Sequence, residues 1–527
     1  MMGNKKLQAW LPLLLSLVMV VGLFFGYKLG SKNSAFFSSN KRSSLQEALD
    51  IIKTRYVDTV QSANLEGKAL QQIMNELDPH SVYFPPVDLK EANEDLAGNF
   101  EGIGVEFNIF NDTVNIVYVI PGGPSEKAGL LIGDKVIKVN DSLLTYKGVS
   151  GDDVKKHTRG KANSTARLQV LRNNKAISIQ VSRGNIPVTS IDAAYMLDKT
   201  TGYIKLNKFT EHSYEEFMAA LEALKNKGMT ALVYDLRGNG GGFMNEAVDM
   251  VDEFLDGDKL IVYTEGLNSK KREYRCKRPG LFEKGKLVVL VDELSASASE
   301  VLAGALQDWC RATVIGRRTF GKGLVQEQYP LQDGAALRLT IARYYTPLGR
   351  SIQRSYAKGK KVYMDEMWQR FNSGEMISLD SLKSHHGGKR FTTPCHDTLY
   401  AGDGITPTVF IPLDTSLTHQ RILQIVNSEA VSKGIYQYYL QHRQQLDGYK
   451  SSQEFISQFN TAAMWNTMQA MEGVSSILRA VNAKEATLLQ QRIKALLARY
   501  RWRNAGYFET LNAEDPMVTK ALALINN

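Results

Sequence analysis

Apolar positions along this chain change period several times, and the changes divide it into regions. From Ala9 to Tyr27 the run AWLPLLLSLVMVVGLFFGY contains no charged residue and follows Lys5 and Lys6. Nineteen residues at the helical rise span roughly 28 Å, close to the hydrocarbon thickness of a bilayer. No clean small-x-small cleavage site follows, so residues 1–28 read as an uncleaved membrane anchor and not as a signal peptide. Lysines on both flanks leave its orientation open. After a polar linker near 29–42, LQEALDIIKTRYV and LEGKALQQIMNELD repeat apolar residues at helical spacing, which predicts a helical region over 43–98. From Asn99 the texture becomes short strand-like runs (GIGVEFNIF, VNIVYVI, KVIKVN, RLQVLR, AISIQV) separated by turn signals, a mainly-β module over 99–185. Over 190–412 strands alternate with helices, the pattern of an α/β layer that places ligands at the carboxyl ends of its strands. Residues 413–527 return to helical spacing, as in Leu488, Leu489, Ile493, Leu496 and Leu497. The fold class expected is multidomain α+β: an α/β core, an inserted mainly-β domain, and helical regions at both ends.

Composition narrows the function. Of 527 residues, 43% are hydrophobic and 23% charged, values of a globular protein. The net charge of +9 raises the question of nucleic acid. Its densest basic cluster, RIKALLARYRWR at 492–503, lies on a helical pattern and reads as a solvated helix face, so no nucleic-acid partner is expected. Three cysteines (Cys276, Cys310, Cys395) are too few for a disulfide framework, although one pair can form in an oxidising compartment. No His/Cys spacing suggests a metal site. His385 and His386 sit in a Ser/Lys/Gly-rich loop.

Three stretches carry chemistry. LVDELSASASEVLAGALQDW, residues 290–309, sets three serines at alternate positions where a buried strand turns into a helix. Ser297 or Ser299 can cap that helix, or one of them can be a nucleophile beside the free N–H groups of the helix start. A nucleophilic serine needs a base, yet no histidine lies within about 70 residues of Ser297 on either side. DLRGNGGG (235–242) follows a strand and precedes a helix, so its glycines can bring backbone N–H groups close to a ligand. GRRTFGKGLVQEQ (316–328) sets Lys322 between two glycines. At the reference pKa near 10.4 about one lysine in 2,500 is neutral at pH 7, so base chemistry there requires burial to depress the amine. Nucleotide binding is excluded. GRRTFGKG has Gly323 where a P-loop needs Ser or Thr, and a strand pattern follows where a helix is required. The glycine stretch has Phe243 at the third position of a Rossmann fingerprint.

SASASE, FGKGLVQ, DLRGNGGG, TPLGRSIQ (346–353) and GITPTVFI (404–411) together resemble the carboxy-terminal processing, or tail-specific, proteases: Ser–Lys endopeptidases with an inserted PDZ domain. The resemblance covers about 43–412. It implies Ser297 as nucleophile, Lys322 as general base, Gln326 as the residue orienting that lysine, and the N–H groups of Ala298 and Gly241 as oxyanion donors. Asp235 and Arg237 are then holders of the glycine turn, and Glu300 is a helix-start acid. The 99–185 module resembles a PDZ domain, with EGIGVEF at the carboxylate-binding loop, which assigns Gly102, Ile103, Gly104 and Val105 to the peptide terminus. Arg159, in TRGKANS, stands where family members couple PDZ placement to the active site, although Asn163 replaces an expected glycine. RYVDTV and LDPHSVYF resemble the family's N-terminal helical region, which mediates dimer contacts in many members and so implies a homo-oligomer. The family reading further implies protein substrates with apolar C-terminal tails, no metal, no cofactor, and a bacterial inner-membrane anchor with the protease facing the periplasm. A catalytically silent PDZ adaptor is the alternative class, but it has no use for Ser297, Lys322 and Gln326 at this spacing. A Ser–Lys amidase would need S-x-x-K, and Ser297 is followed by ASE. The helices beyond 412 lie outside the resemblance.

Overall fold

A computed structural model describes Trp10, Pro12 and residues 15–23, 43–383 and 388–527 of the chain. Most of the predicted anchor, the linker at 29–42 and the His385–His386 pair lie outside these residues. Residues 15–23 are helical, and among the described residues no helix is long and apolar enough to cross a membrane. The chain divides into two compact units, 1–72 and 73–527. In the first, helix Ser44–Arg55 is capped by Ser43, whose hydroxyl accepts the Gln46 N–H at 3.3 Å, and Lys53 and Arg55 complement its negative end. Leu45, Ile51 and Ile52 of this helix are exposed.

The second unit begins with a mainly-β domain. Its sheet runs in the order Val105–Phe110, Thr113–Val119, Lys135–Val139, Thr165–Arg172, Lys175–Ser182, so Val105–Phe110 is an edge strand. Strict alternation in TARLQVLR buries Ala166, Leu168 and Val170 and leaves the residues between them turned outward. Helix Gly151–Thr158 starts from a capping box in which Ser150 and Asp153 satisfy each other's N–H groups.

The core sheet has the order Ile191–Met196, Thr201–Leu206, Ala231–Asp235, Lys286–Val291, Thr313–Gly316, Val409–Phe410. Its first pair is antiparallel and the rest are parallel. All residues of Thr201–Leu206 and Ala231–Asp235 are buried, Lys205 and Asp235 included, as expected of central strands covered on both faces. Leu232 and Tyr234 pack with helices Ser213–Asn226, Met244–Asp252 and Ala298–Asp308; Ala231 and Val233 pack with the last helix, Pro516–Asn526. The end of the C-terminal helical region is therefore the second layer of the core sheet. A smaller sheet orders Val82–Phe84, Ala336–Tyr345, Leu260–Glu265 and Arg272–Arg275, and Leu324–Pro330 also pairs with Ala336–Tyr345.

The C-terminal helices share an apolar core of their own, including Val431, Ile435, Met464, Leu489 and Ile493. Their longest member, Ala483–Asn512, breaks at Trp502 and at Arg503, whose φ is 59°. Here the basic cluster departs from the solvated face that its pattern predicts. Arg499 and Arg503 both engage Glu106 of the β domain, and Arg501 pairs with Asp447 at 3.5 Å. Cys310 and Cys395 form a disulfide, joining the end of helix Ala298–Asp308 to the hairpin of Arg390–Thr392 and Thr398–Tyr400, while Cys276 is free and buried.

Candidate active site

The buried strand Lys286–Val291 delivers the chain to a turn built on Asp292, whose Oδ1 accepts the N–H groups of Gly238, Leu294 and Ser295 at 2.9–3.1 Å. Ser297 closes this turn at φ 57°, ψ −115°, directly before helix Ala298–Asp308. A residue other than glycine held there costs about 1–3 kcal/mol, so something must hold it. The Ser295 hydroxyl donates to Leu236 O at 2.9 Å and the Ser299 hydroxyl to Asn239 O at 2.8 Å, with Ala296 N–H on the same Asn239 oxygen at 3.0 Å. Two of the three alternating serines thus fasten this corner to the glycine turn. The third, Ser297, lines a cavity of about 560 Å³ together with Ala298, Gly241, Lys322 and Gln326.

Lys322 reaches this cavity from a loop that enters strand Leu324–Pro330. Its amine donates to Gln326 Oε1 at 3.2 Å, and Gln326 Nε2 donates to His80 O at 2.5 Å. A register shift between Val325 and Gln326 in the pairing with Ala336–Tyr345 marks a bulge beside the site. Burial, and next the positive charge of Arg338, push the Lys322 amine below the usual lysine range; Glu300 and Asp78 act the other way. The Ser297 hydroxyl and the Lys322 amine share the cavity without a direct hydrogen bond.

Two buried side chains tie the serine segment to the lysine segment. The Glu300 carboxylate accepts the N–H groups of Ser297 (2.9 Å), Lys322 (2.8 Å) and Gly321 (2.7 Å) and the Thr319 hydroxyl (2.5 Å). Burial raises its pKa against the pull of these four donors. The Tyr344 hydroxyl lies 3.0 Å from Ser297 O and 2.7 Å from Lys322 O, so its proton is shared between the two segments. Glu300 is the helix-start acid that the sequence suggests, and it is also the clamp between both halves of the site. Tyr344 and His80 escape sequence reasoning altogether. Tyr344 is one aromatic in an ordinary strand, and His80 lies 246 positions from Gln326. Burial and the nearby Lys322 charge push the His80 imidazole down to about 3, so it is neutral at physiological pH.

The glycine turn rests on a buried charge cluster. Asp235 receives Tyr203 O–H at 2.6 Å and pairs with Arg237 at 2.6 Å, and Arg237 also pairs with Asp515 at 2.7 Å. Burial opposes ionisation of Asp235, but Arg237 and Lys205 outweigh it and hold the carboxyl far below its usual range. Gly241 adopts φ 98°, and a Cβ there would lie 2.7 Å from Ala296 O and 2.8 Å from Ser297 Cβ, so only glycine lets the turn press on the serine corner. One expectation is corrected at this point: the Gly241 N–H already donates to Asn239 Oδ1 at 2.9 Å and is not free for an oxyanion. Among the described residues, the N–H groups of Ala298, Gly240 and Gly242 have no hydrogen-bond partner, and all three residues line the cavity.

Gly102, Ile103, Gly104 and Val105 line a separate cavity of about 330 Å³ beside helix Gly151–Thr158. The N–H groups of Ile103 and Gly104 donate to nothing within the described residues. Arg159, at the end of that helix, pairs with Glu91 (3.4 Å) and Glu94 (3.6 Å) of helix Pro86–Ala97. The same helix contributes Ala92, Asp95 and Leu96 to the Ser297 cavity.

Residues 200–359 match peptidase family S41, and residues 102–182 match the PDZ domain. Residues 422–503 match a family of unknown function, DUF8443. The fold and these matches define a serine-type peptidase that carries a PDZ domain. The chain belongs to the carboxy-terminal processing proteases. It is 31% identical over 384 residues to the carboxy-terminal-processing protease of Bartonella bacilliformis, covering 70% of this chain and 88% of that one. It is 33% identical to the carboxy-terminal processing protease CtpA of Bacillus subtilis over 63% of this chain and 70% of that one. Among solved structures it is similar to a photosystem II D1 C-terminal processing protease, at 25% identity over 73% of this chain and 92% of that one, with a TM-score of 0.36.

Proposed function

We propose that this chain is an endopeptidase that cuts proteins at or near their C-termini with a Ser297–Lys322 dyad, after its PDZ domain has captured the apolar tail. The observation that carries this reading is the shared cavity of Ser297 and a buried lysine whose pKa is lowered, while the neighbouring serines are engaged elsewhere. In the proposed cycle the neutral Lys322 amine takes the Ser297 proton as Oγ attacks a peptide carbonyl. Transfer needs the two atoms at about 3 Å, so in the proposed cycle the lysine turns from Gln326 toward the hydroxyl when substrate fills the cavity. Gln326, anchored on His80 O, keeps the amine within reach of that position.

The developing oxyanion meets the unpartnered Ala298 N–H at the positive end of its helix, with the Gly240 or Gly242 N–H as second donor. The Lys322 ammonium then protonates the leaving amine, and water repeats the sequence on the acyl-enzyme. At the PDZ domain the tail adds as a strand to the edge Val105–Phe110, its carboxylate on the Ile103 and Gly104 N–H groups. Arg159 transmits the placement of that domain to helix Pro86–Ala97 and so to the active-site wall. We place the enzyme in the bacterial cell envelope, anchored through residues 1–28 with the protease in the periplasm; the Cys310–Cys395 disulfide fits an oxidising compartment. The exposed apolar side of helix Ser44–Arg55 suits contact with a second copy. No metal, cofactor or nucleic acid enters this scheme.

The test is cleavage of a folded protein carrying an apolar tail, by the full chain and by Ser297→Ala and Lys322→Ala variants. Both variants are expected to lose turnover, and Ser297→Ala is expected to retain tail binding. Equal cleavage by all three would overturn the dyad.

A further inference from the structure

Strand Val105–Phe110 lies at a sheet edge, so one side of its backbone is open. Val105, Phe107 and Ile109 turn toward the core of the PDZ domain, and by strand alternation Glu106 turns to the opposite face. On that face stands the long C-terminal helix. Arg503 pairs with Glu106 and lies 3.5 Å above the Tyr118 ring, while Arg499 approaches the same carboxylate at 3.4 Å. Arg499 Nε donates to Asn504 at 3.1 Å. Two guanidinium groups on one carboxylate leave a positive charge in excess, and Arg499, the more distant partner, lines the same cavity as the Gly102–Val105 loop. Lys155 and Arg159 also line that cavity, but both are paired, Lys155 with Asp152 and Arg159 with Glu91 and Glu94, which leaves Arg499 as the cation turned to the groove.

We infer that Arg499 of the C-terminal helical region is a specificity-determining wall of the tail groove, reading an acidic side chain at the penultimate or fourth-from-last position of the substrate. This rests on the reading above that the PDZ domain binds protein tails. A tail whose carboxylate sits on Ile103 and Gly104 runs antiparallel to Val105–Phe110. Its last and third-from-last side chains then face the apolar side shared by Val105 and Phe107. The penultimate and fourth-from-last side chains face Glu106 and Arg499. A carboxylate there supplies the counter-charge that Glu106 alone does not.

The experiment uses the full chain in a Ser297→Ala background and fluorescein-labelled peptides with one apolar terminus, read by anisotropy at low and at physiological salt. The peptides carry Glu, Gln or Lys at the penultimate, third-from-last or fourth-from-last position. Glu at the penultimate or fourth-from-last position is expected to bind about three- to tenfold tighter than Lys, with the ratio shrinking as salt rises. The third-from-last position is expected to show no such preference. Arg499→Gln should abolish the preference and leave the neutral peptide unchanged. Glu106→Gln, which breaks the same contact between PDZ domain and helix, should strengthen it. If the neutral peptide binds but charge makes no difference, or if Arg499→Gln and Glu106→Gln lose the preference alike, this inference is overturned and tail binding stands. If no peptide binds, the tail-binding reading itself fails.

Discussion

Replacing Glu300 by glutamine tests whether one buried carboxylate holds the serine and lysine segments in register. Its Oε2 accepts the N–H groups of Ser297 and Lys322, and its Oε1 accepts Gly321 N–H and the Thr319 hydroxyl. An amide has one oxygen to offer. Placed with its NH2 toward Ser297 and Lys322, it orphans two backbone donors at once. Flipped, it orphans Gly321 N–H and removes the acceptor for Thr319 O–H, whose oxygen already receives Ile405 N–H at 2.7 Å. The second orientation is cheaper because it orphans only one backbone donor, and it still loses two charge-assisted bonds and weakens two others from charged to neutral. At about 1.5–3 kcal/mol for each bond lost and about 1 kcal/mol for each bond weakened, the expected loss of stability is about 5–8 kcal/mol. Activity should fall further than stability alone explains, because Ser297 at φ 57° keeps its position through this clamp. A displacement of the reacting atoms by about 1 Å costs on the order of 100-fold. The assay pairs the urea midpoint with kcat/KM on a tail-bearing substrate under conditions where the variant is fully folded. Thr319→Val serves as control, since it removes one hydroxyl and spares all three N–H contacts. A folded Glu300→Gln enzyme with normal kcat/KM, or one no worse than Thr319→Val, would refute the clamp.

Tyr344→Phe removes the hydroxyl shared by Ser297 O and Lys322 O and is expected to cost about 1–2 kcal/mol, with kcat lowered and KM little changed; a change confined to KM would count against it. The pH–rate profile tests the base. A lysine acts when neutral, so kcat/KM should rise with pH through the depressed Lys322 pKa, and Arg338→Gln, by removing the cation that helps depress it, should move that limb to higher pH; a limb that stays put would contradict the assignment. Because the folded pKa of this amine lies below its unfolded value, its contribution to stability is present above about pH 10.4 and is lost as pH falls through the folded pKa. Lys322→Met should therefore be inactive and yet at least as stable as wild type at neutral pH by thermal melting. Cys310→Ser opens a loop of 85 residues, worth about 4–5 kcal/mol by chain entropy. Dithiothreitol should lower the wild-type unfolding free energy by a similar amount, read by urea denaturation, and leave the variant unchanged.

Continuous apolar runs such as KLVVLV announce buried parallel strands because both faces are covered, and TARLQVLR announces a half-buried antiparallel strand because one is not. Periodicity is a local signal, and these elements are local. Family motifs brought Gly241, Ser297 and Lys322 into consideration together, and the structure puts them around one cavity. What resists reading is the capture of backbone groups by single side chains. Asn239 takes the Gly241 N–H through an ordinary turn-forming side chain, and no pattern in DLRGNGGG tells which of its N–H groups stays free. His80 reaches the site through one backbone carbonyl and Tyr344 through a hydroxyl shared by two, with no spacing to betray either. The basic helix misleads for the opposite reason. A charged stripe has the same pattern whether it meets water or a carboxylate from another domain, and Arg499 and Arg503 meet Glu106.

The C-terminal region, the part least legible in sequence, holds the frame in which both sites sit. After its break at Arg503, the long helix donates from Asn504 to Asp192 at 2.6 Å and from Asn512 to Tyr195 O–H at 2.7 Å, both on the antiparallel edge strand of the core sheet. Three residues beyond Asn512, Asp515 caps the last helix and pairs with Arg237 beneath the glycine turn. Within one short stretch of chain, therefore, Arg499 and Arg503 engage Glu106 on the edge strand Val105–Phe110, and Asp515 pairs with Arg237 beneath the turn whose Gly240 and Gly242 line the Ser297 cavity. Arg503 itself sits at φ 59°, ψ −153°, a region costly for any residue but glycine, and its partners Glu106 and Tyr118 both belong to the PDZ domain. The break in the helix is thus maintained by the domain that it positions. Adjacent residues of the helix carry the two attachments, Arg503 to Glu106 and Tyr118 of the PDZ domain and Asn504 to Asp192 of the core sheet, so loss of either contact by substitution is expected to loosen the other.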